Sequence, residues 1–238
     1  MVFGWIVDAV SSVCSAVGSA FSSVVEKFTD VAKEFVANLA PIISAVAPVL
    51  NALSIVFPQL KVLATIVNVL DKVFTALGLS DKGVEETGQD VLDAQDAGIH
   101  LDDYESYDDY KQAVDNFRLE NPDKRGDYSQ IEKVTAGMAV LSWGMEEKFG
   151  PESSDLVTAI VMDGPNLEKG EGFFTPERTE AIVNGVKNIG DVAKYFSGKL
   201  SVDEKHEMQK ELIGIVQKLE PETPIGEIRS ALAQARQN

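Results

Sequence analysis

The chain has one cysteine, Cys14, and two histidines, His100 and His206, in 238 residues. A single thiol excludes an intrachain disulfide and suits a reducing compartment. So few sulfur and imidazole groups also exclude the paired Cys or His spacing of a structural zinc site. There is no Walker loop, no dinucleotide-binding glycine pattern and no Gly-x-Ser-x-Gly elbow. The sequence therefore names no catalytic residue, no cofactor and no metal ligand. Cys14 falls on the apolar side of an amphipathic stretch and reads as a buried, inert thiol. His206, between Lys205 and Glu207, reads as solvated on a helix surface. His100 precedes acids and could pair with Asp102 or Asp103.

Basic residues are missing from the start. None precedes Lys27, so the pattern of a secretory leader is absent. The expectation is a protein made in the cytoplasm without a Sec signal, exported, if at all, by a non-Sec route and membrane-associated at its target.

The most informative absence is charge between Phe35 and Leu60, a run reading FVANLAPIISAVAPVLNALSIVFPQL. As a helix it would extend about 39 Å, against about 30 Å for a bilayer's hydrocarbon core. Ile43, Val46, Leu50, Leu53 and Phe57 recur at steps of three and four and define a bulky face. Ala37, Ala40, Ser44, Ala47, Asn51 and Ser54 form a small face about half a turn away. Small faces let helices approach closely in lipid, with Ser and Asn hydrogen-bonding across the contact. Pro41, Pro48 and Pro58 each remove a backbone donor, so a kinked span or helical hairpin is expected in place of a straight rod.

Charge that is missing there is concentrated elsewhere. Residues 1–80 hold Lys27, Lys33, Lys61 and Lys72 against Asp8, Glu26, Asp30, Glu34 and Asp71, which leaves nearly all of the net charge of −17 to the rest. An acidic balance of this size argues against a nucleic-acid partner. It also argues against adsorption of the C-terminal part to anionic lipid.

In chain order, Ile6, Val10, Val13, Val17, Phe21, Val24, Phe28, Val31 and Phe35 describe one long amphipathic helix. After Pro58 the period resumes with Leu60, Leu63, Val67, Leu70, Phe74 and Leu77, beside a second apolar row of Val62, Ile66, Val69 and Val73. Gly78 offers a left-handed C-cap, with Leu79 as its hydrophobic contact. From Gly83 to Gly126 the chain is acidic and poorly periodic, apart from a short helix suggested by Tyr110, Val114 and Phe117. Its cluster Asp102, Asp103, Glu105, Asp108 and Asp109 lacks the spacing and glycine of a calcium loop and reads as solvated.

The remainder reads as consecutive helices. Ile131, Val134, Met138, Leu141 and Met145 lead to Gly150 and Pro151, and Leu156 to Met162 is ended by Gly164 and Pro165. Thr175 and Pro176 start a helix through Ile182, Val186 and Ile189. Ser201 and Glu204 make a capping box before Met208, Leu212, Ile215 and Leu219. Thr223 and Pro224 open a last helix through Ile225, Ile228, Leu232 and Ala235.

The expected fold is all-α: a hydrophobic helical hairpin or bundle over 1–79, an acidic linker or partly ordered segment over 80–127, and a soluble helical domain over 128–238. The expected function is membrane insertion or pore formation, in a toxin or secreted effector that permeabilises a target membrane. Its partners would be the bilayer and either further copies of the chain or a chaperone- or immunity-type protein shielding 1–79. Two alternatives remain. One is a structural or injected component of a phage or contractile-injection assembly; the other is a soluble adaptor with 1–79 in its core.

Overall fold

A computed structural model describes residues 60–236. The helix expected over residues 6–35, Cys14 and all of the uncharged run except Leu60 lie outside them. Among the described residues the fold is all-helical: α1 (Leu60–Ala76), α2 (Val84–Asp96), a 3-10 turn (Leu101–Asp103), α3 (Tyr107–Glu120), α4 (Gln130–Phe149), α5 (Asp155–Glu168), α6 (Pro176–Gly185), α7 (Ile189–Phe196), α8 (Val202–Leu219) and α9 (Ile225–Ala235).

The helix that follows the uncharged run is a core element. Both of its apolar rows are used: Val62, Leu63, Ile66, Val69, Leu70, Val73 and Phe74 are buried, leaving Ala64, Asn68 and Lys72 exposed. Two rows need partners on two sides, and α1 packs against α5 and α6 while also touching α2. Gly164 of α5 provides the space, since a Cβ there would lie 2.5 Å from Ile66 Cδ1. The end of α1 follows its sequence signal. Gly78 adopts φ 67°, its N–H bonds the Thr75 carbonyl at 3.0 Å, and the Leu79 N–H bonds that of Phe74 at 2.9 Å. This is a Schellman closure with the following Leu79 buried. The expected boundary between 79 and 80 thus falls at a helix end, but α1 shares one hydrophobic core with the helices after it.

The acidic stretch is more structured than its periodicity suggests. It carries α2 and α3, both packed on α4 or on one another. Val84, Gly88, Val91 and Leu92 line the buried side of α2, together with Asp90 and Asp93. A glycine and two acids interrupt the apolar stripe, which hides it from a periodicity reading. Helix α4 is buried almost all round from Ile131 to Met145, which makes it the centre of the α2–α3–α4 layer.

Three boundaries differ from expectation. Helix α5 continues through Pro165 to Glu168. The close seat of Gly164 on Val62 and Ile66 holds the helical path there, against the one hydrogen bond that proline removes. The helix begun at Thr175 stops at Gly185, and a new one starts after Asn188, whose side chain accepts the Gly190 N–H at 2.9 Å. Thr223 makes no cap for α9; its hydroxyl donates to Glu220 at 3.1 Å. Thr175 and the Ser201–Glu204 capping box are placed as expected.

Candidate functional site

The face residues Ala40, Ser44, Ala47, Asn51, Ser54, Ile43, Val46, Leu50, Leu53 and Phe57 lie outside the described residues. Among the described residues, no helix is long and apolar enough to cross a membrane. His206 is exposed on α8. His100 precedes the 3-10 turn with its Nδ1 buried and without a hydrogen-bond partner, while Asp102 and Asp103 are exposed. A pair of His100 with Asp102 or Asp103 is therefore not formed through that nitrogen. Within the described residues no group of three or more His, Cys, Asp or Glu side chains is placed to hold a metal ion.

The most elaborate polar arrangement lies between α2 and α3, around two buried carboxylates. Asp90 and Asp93 are one helical turn apart on α2, so both face α3. Arg118 of α3 answers both: its Nε lies 3.0 Å from Asp90 Oδ1 and its Nη2 pairs with Asp93. Its other terminal nitrogen donates to the carbonyls of Asn121 at 3.1 Å and Lys124 at 2.9 Å. One planar guanidinium thereby closes α3, ties down the loop after it and neutralises α2. Arg125 in that loop reaches Asp90 at 2.9 Å, and the Gly126 N–H donates to Asp93 at 2.7 Å.

Two lysines complete the arrangement. Lys82 Nζ lies 3.1 Å from Asp90 and 2.9 Å from Asp115, and Lys111 lies 2.7 Å from Asp115. Burial by itself would lower the Lys82 pKa, but the Asp115 and Asp90 carboxylates outweigh it and hold the ammonium above its ordinary value. Burial likewise pushes Asp115 up, and Lys111 and Lys82 together reverse it, so this carboxyl sits below its ordinary value. The adjoining cavity, lined by Leu79, Thr87, Tyr107 and Val114 among others, has a volume of about 30 Å³. That is room for water, not for an organic ligand.

Two further carboxylates join separate elements. Asp71 of α1 accepts the Val84 N–H at 2.7 Å and so caps α2 from another helix. Burial raises its pKa, the Val84 N–H opposes that, and Glu85 adds to the rise. Asp163 of α5 is fully buried and accepts the N–H groups of Phe173 at 2.7 Å and Phe174 at 3.1 Å, with Asn166 Nδ2 at 3.0 Å. Burial pushes its carboxyl up against these donors. Arg178, over the Phe173 ring at 6.0 Å, makes a forked pair with Glu220 at 2.6 and 2.7 Å. That pairing holds Glu220 below the usual carboxylate range.

All of these acids are committed to cations or backbone donors. The clusters contain no nucleophile beside a free base, and their geometry is that of clasps between elements. Asp90, Asp93 and Arg118 are hidden in the sequence because acids in an acidic stretch read as solvated surface. The signal available is the spacing of three between Asp90 and Asp93, which puts both on one flank of α2. The Ser129–Glu132 capping box of α4, with Ser129 N–H on Glu132 at 2.6 Å, was also legible in the sequence and overlooked. No protein-family model, no curated protein and no solved structure matches the chain.

Proposed function

We propose that this is a membrane-inserting protein in which the uncharged run before Leu60 enters lipid and the acidic helical body remains outside it. The observation carrying this reading is the junction itself: a run of twenty-six residues without a charged side chain, Phe35 to Leu60, leads directly into α1, the helix around which α5 and α6 are packed.

The burial of α1 moves the lipid-entering part back from 1–79 to the residues before Leu60. Seven large side chains of α1 are at most 1% exposed, and each contributes about 1.5–3 kcal/mol on burial. Withdrawing α1 would thus cost on the order of 10–20 kcal/mol, comparable with the entire stability of a domain at about 5–15 kcal/mol. Helix α1 leaves the core only if the core unfolds. Permeabilisation by several copies, through the small face of Ala40, Ser44, Ala47, Asn51 and Ser54, follows from the same reading.

Trypsin provides the test, because no Lys or Arg lies between Lys33 and Lys61. The full chain is mixed with phosphatidylcholine vesicles, floated and digested. The expected result is a peptide 34–61 that refloats with the vesicles after digestion, with fragments of the helical body released, and dye leakage from loaded vesicles. A chain that does not float, or whose peptide 34–61 leaves the vesicles on digestion, overturns the reading and favours an adaptor or assembly component.

A further inference from the structure

Residues 121–129 join α3 to α4 and form the longest connection without a helical turn among the described residues. Pro122, Asp123, Lys124, Arg125, Gly126 and Asp127 are all exposed. Lys124 and Arg125 are the only adjacent pair of Lys or Arg residues in the sequence. The other lysines and arginines of the body stand singly, most of them inside helices, whereas exposed connections are where endopeptidases cut. The buried carboxylates do not require the pair. Lys124 lends the clasp only its backbone, as the carbonyl that accepts from Arg118 at 2.9 Å.

The chain on either side of the Arg125–Gly126 bond is held separately. Before it, Arg118 binds the carbonyls of Asn121 and Lys124. After it, the Gly126 carbonyl accepts from Gln89 Nε2 at 3.1 Å, and the Tyr128 hydroxyl donates to Asp96 at 2.6 Å. The Arg125 side chain can swing out into a protease without stranding a charge. Asp90 keeps Lys82 at 3.1 Å and Arg118 at 3.0 Å, and Asp93 keeps Arg118 and Gln89 Nε2. The loop therefore opens without the penalty of a broken buried pair.

Cleavage would free the Gly126 nitrogen, which already lies 2.7 Å from Asp93 Oδ1, on a side chain that is 3% exposed. Hydrolysis adds water across the bond, so that Arg125 ends in a carboxylate and Gly126 begins with an α-ammonium. A neutral N–H donor is replaced by a cation at the same place, and charge-assisted hydrogen bonds are about twice as strong as neutral ones. We propose that Arg125–Gly126 is a processing site for an endopeptidase that reads paired basic residues, and that the cut chain stays folded with the Gly126 ammonium on Asp93. Residues 1–125 and 126–238 remain together because α2 packs on α4, and α1 on α5 and α6, across the cut.

The full chain is treated with a subtilisin-class endopeptidase specific for basic pairs. The expected result is a single cut, with Gly126 as the new N-terminal residue, and two fragments that elute together at the volume of the uncut chain until urea separates them. Melting of the cut and uncut chains is then compared as pH rises. An α-amino group has an ordinary pKa of about 7.7–8.0, and the Asp93 carboxylate raises it in the folded state. The contribution of the pair is thus complete below about pH 8 and is lost as pH rises through the folded value. Glu86, Asp90 and Asp96 of α2, Arg118 of α3, Glu132 of α4, and Arg125 and Tyr128 of the loop surround this nitrogen in both forms, so the uncut profile subtracts their titration. The melting temperature of the cut chain should fall away from that of the uncut chain above about pH 8. Three results overturn the proposal: the folded chain resists the enzyme while the unfolded chain is cut, the fragments part on the column, or the two pH profiles run parallel. None of them bears on whether the run before Leu60 enters lipid.

Discussion

Gly88 of α2 and Gly137 of α4 meet backbone to backbone. A Cβ on Gly88 would stand 1.7 Å from the Lys133 carbonyl oxygen, and one on Gly137 would stand 2.0 Å from that of Val84. Neither obstacle is a side chain that can rotate away, so these two glycines set how closely the acidic helix approaches the central one.

Gly88→Ala and Gly137→Ala should each destabilise the body by about 3 kcal/mol or more, beyond the about 1–3 kcal/mol typical of overpacking, because backbone must move. Gly214→Ala is the internal control. It lies within α8 with nothing inside 4 Å of an added Cβ, so helix propensity alone should raise stability by up to about 1 kcal/mol. Thermal and urea melts of the three variants check the ordering. Equal effects would mean that α2 and α4 do not cross at these residues.

Arg118 is the more buried of the two guanidinium groups that face both carboxylates of α2, 11% exposed against 41% for Arg125. Arg118→Met leaves Asp90 and Asp93 with less compensation and should cost about 3–5 kcal/mol, the penalty for breaking a buried pair from one side. Asp90→Asn/Asp93→Asn in the same background should recover part of that loss, because the stranded charges are gone. Denaturant midpoints across this cycle decide it; no recovery would show that Arg118 acts by packing alone.

Acid should act oppositely on two carboxylates that flank Arg178. Glu220 is held below its ordinary value of 4.5, so its contribution is present above that value and lost as pH falls through the lower, folded one. Glu220→Gln should therefore be least stable relative to the parent at neutral pH and converge on it in strong acid. Asp163 is raised above 3.8. Its ionisation disfavours the fold, so stability is lost as pH rises from 3.8 towards the folded value. Asp163→Asn keeps an acceptor for the Phe173 and Phe174 N–H groups, and a flipped Asn166 amide can accept its new donor. It should gain on the parent as pH rises through that window. Melts from acid to neutral pH check both signs.

The two faces of the uncharged run separate lipid from a protein core. If it spans a bilayer, Ala47→Leu or Ser44→Leu should abolish dye release by blocking helix approach. Leu50→Ala should matter less, because lipid refills the space. If the run is instead buried in protein, Leu50→Ala should cost about 2–5 kcal/mol in the lipid-free chain. Leu70→Ala in α1 is the reference for that second outcome, since Leu70 is fully buried. Leakage normalised to bound protein, with melting of each variant, distinguishes the cases.

The helical class, the closure of α1 at Gly78, and the starts at Thr175 and Ser201 were legible because each rests on neighbouring residues: a period of three to four, a left-handed glycine, a hydroxyl within reach of the next turn's N–H. What the local pattern could not decide was the environment of each face. Helix α1 looked suited to any apolar surroundings, lipid or protein, and only the notch at Gly164 together with α5 and α6 shows it in a protein core. The stretch around α2 looked solvated because acids usually are. Two of its acids are buried because Arg118 and Lys82, brought there by the folding of α3 and the α1–α2 turn, cancel their charge. Pro165 signals a helix end locally, yet contact between Gly164 and α1 carries the helix past it. Sequence determined the helical class, several helix ends and the apolar rows of α1, since those depend on residues within one or two turns. Tertiary structure decided what each side meets, since that depends on partners remote in the chain.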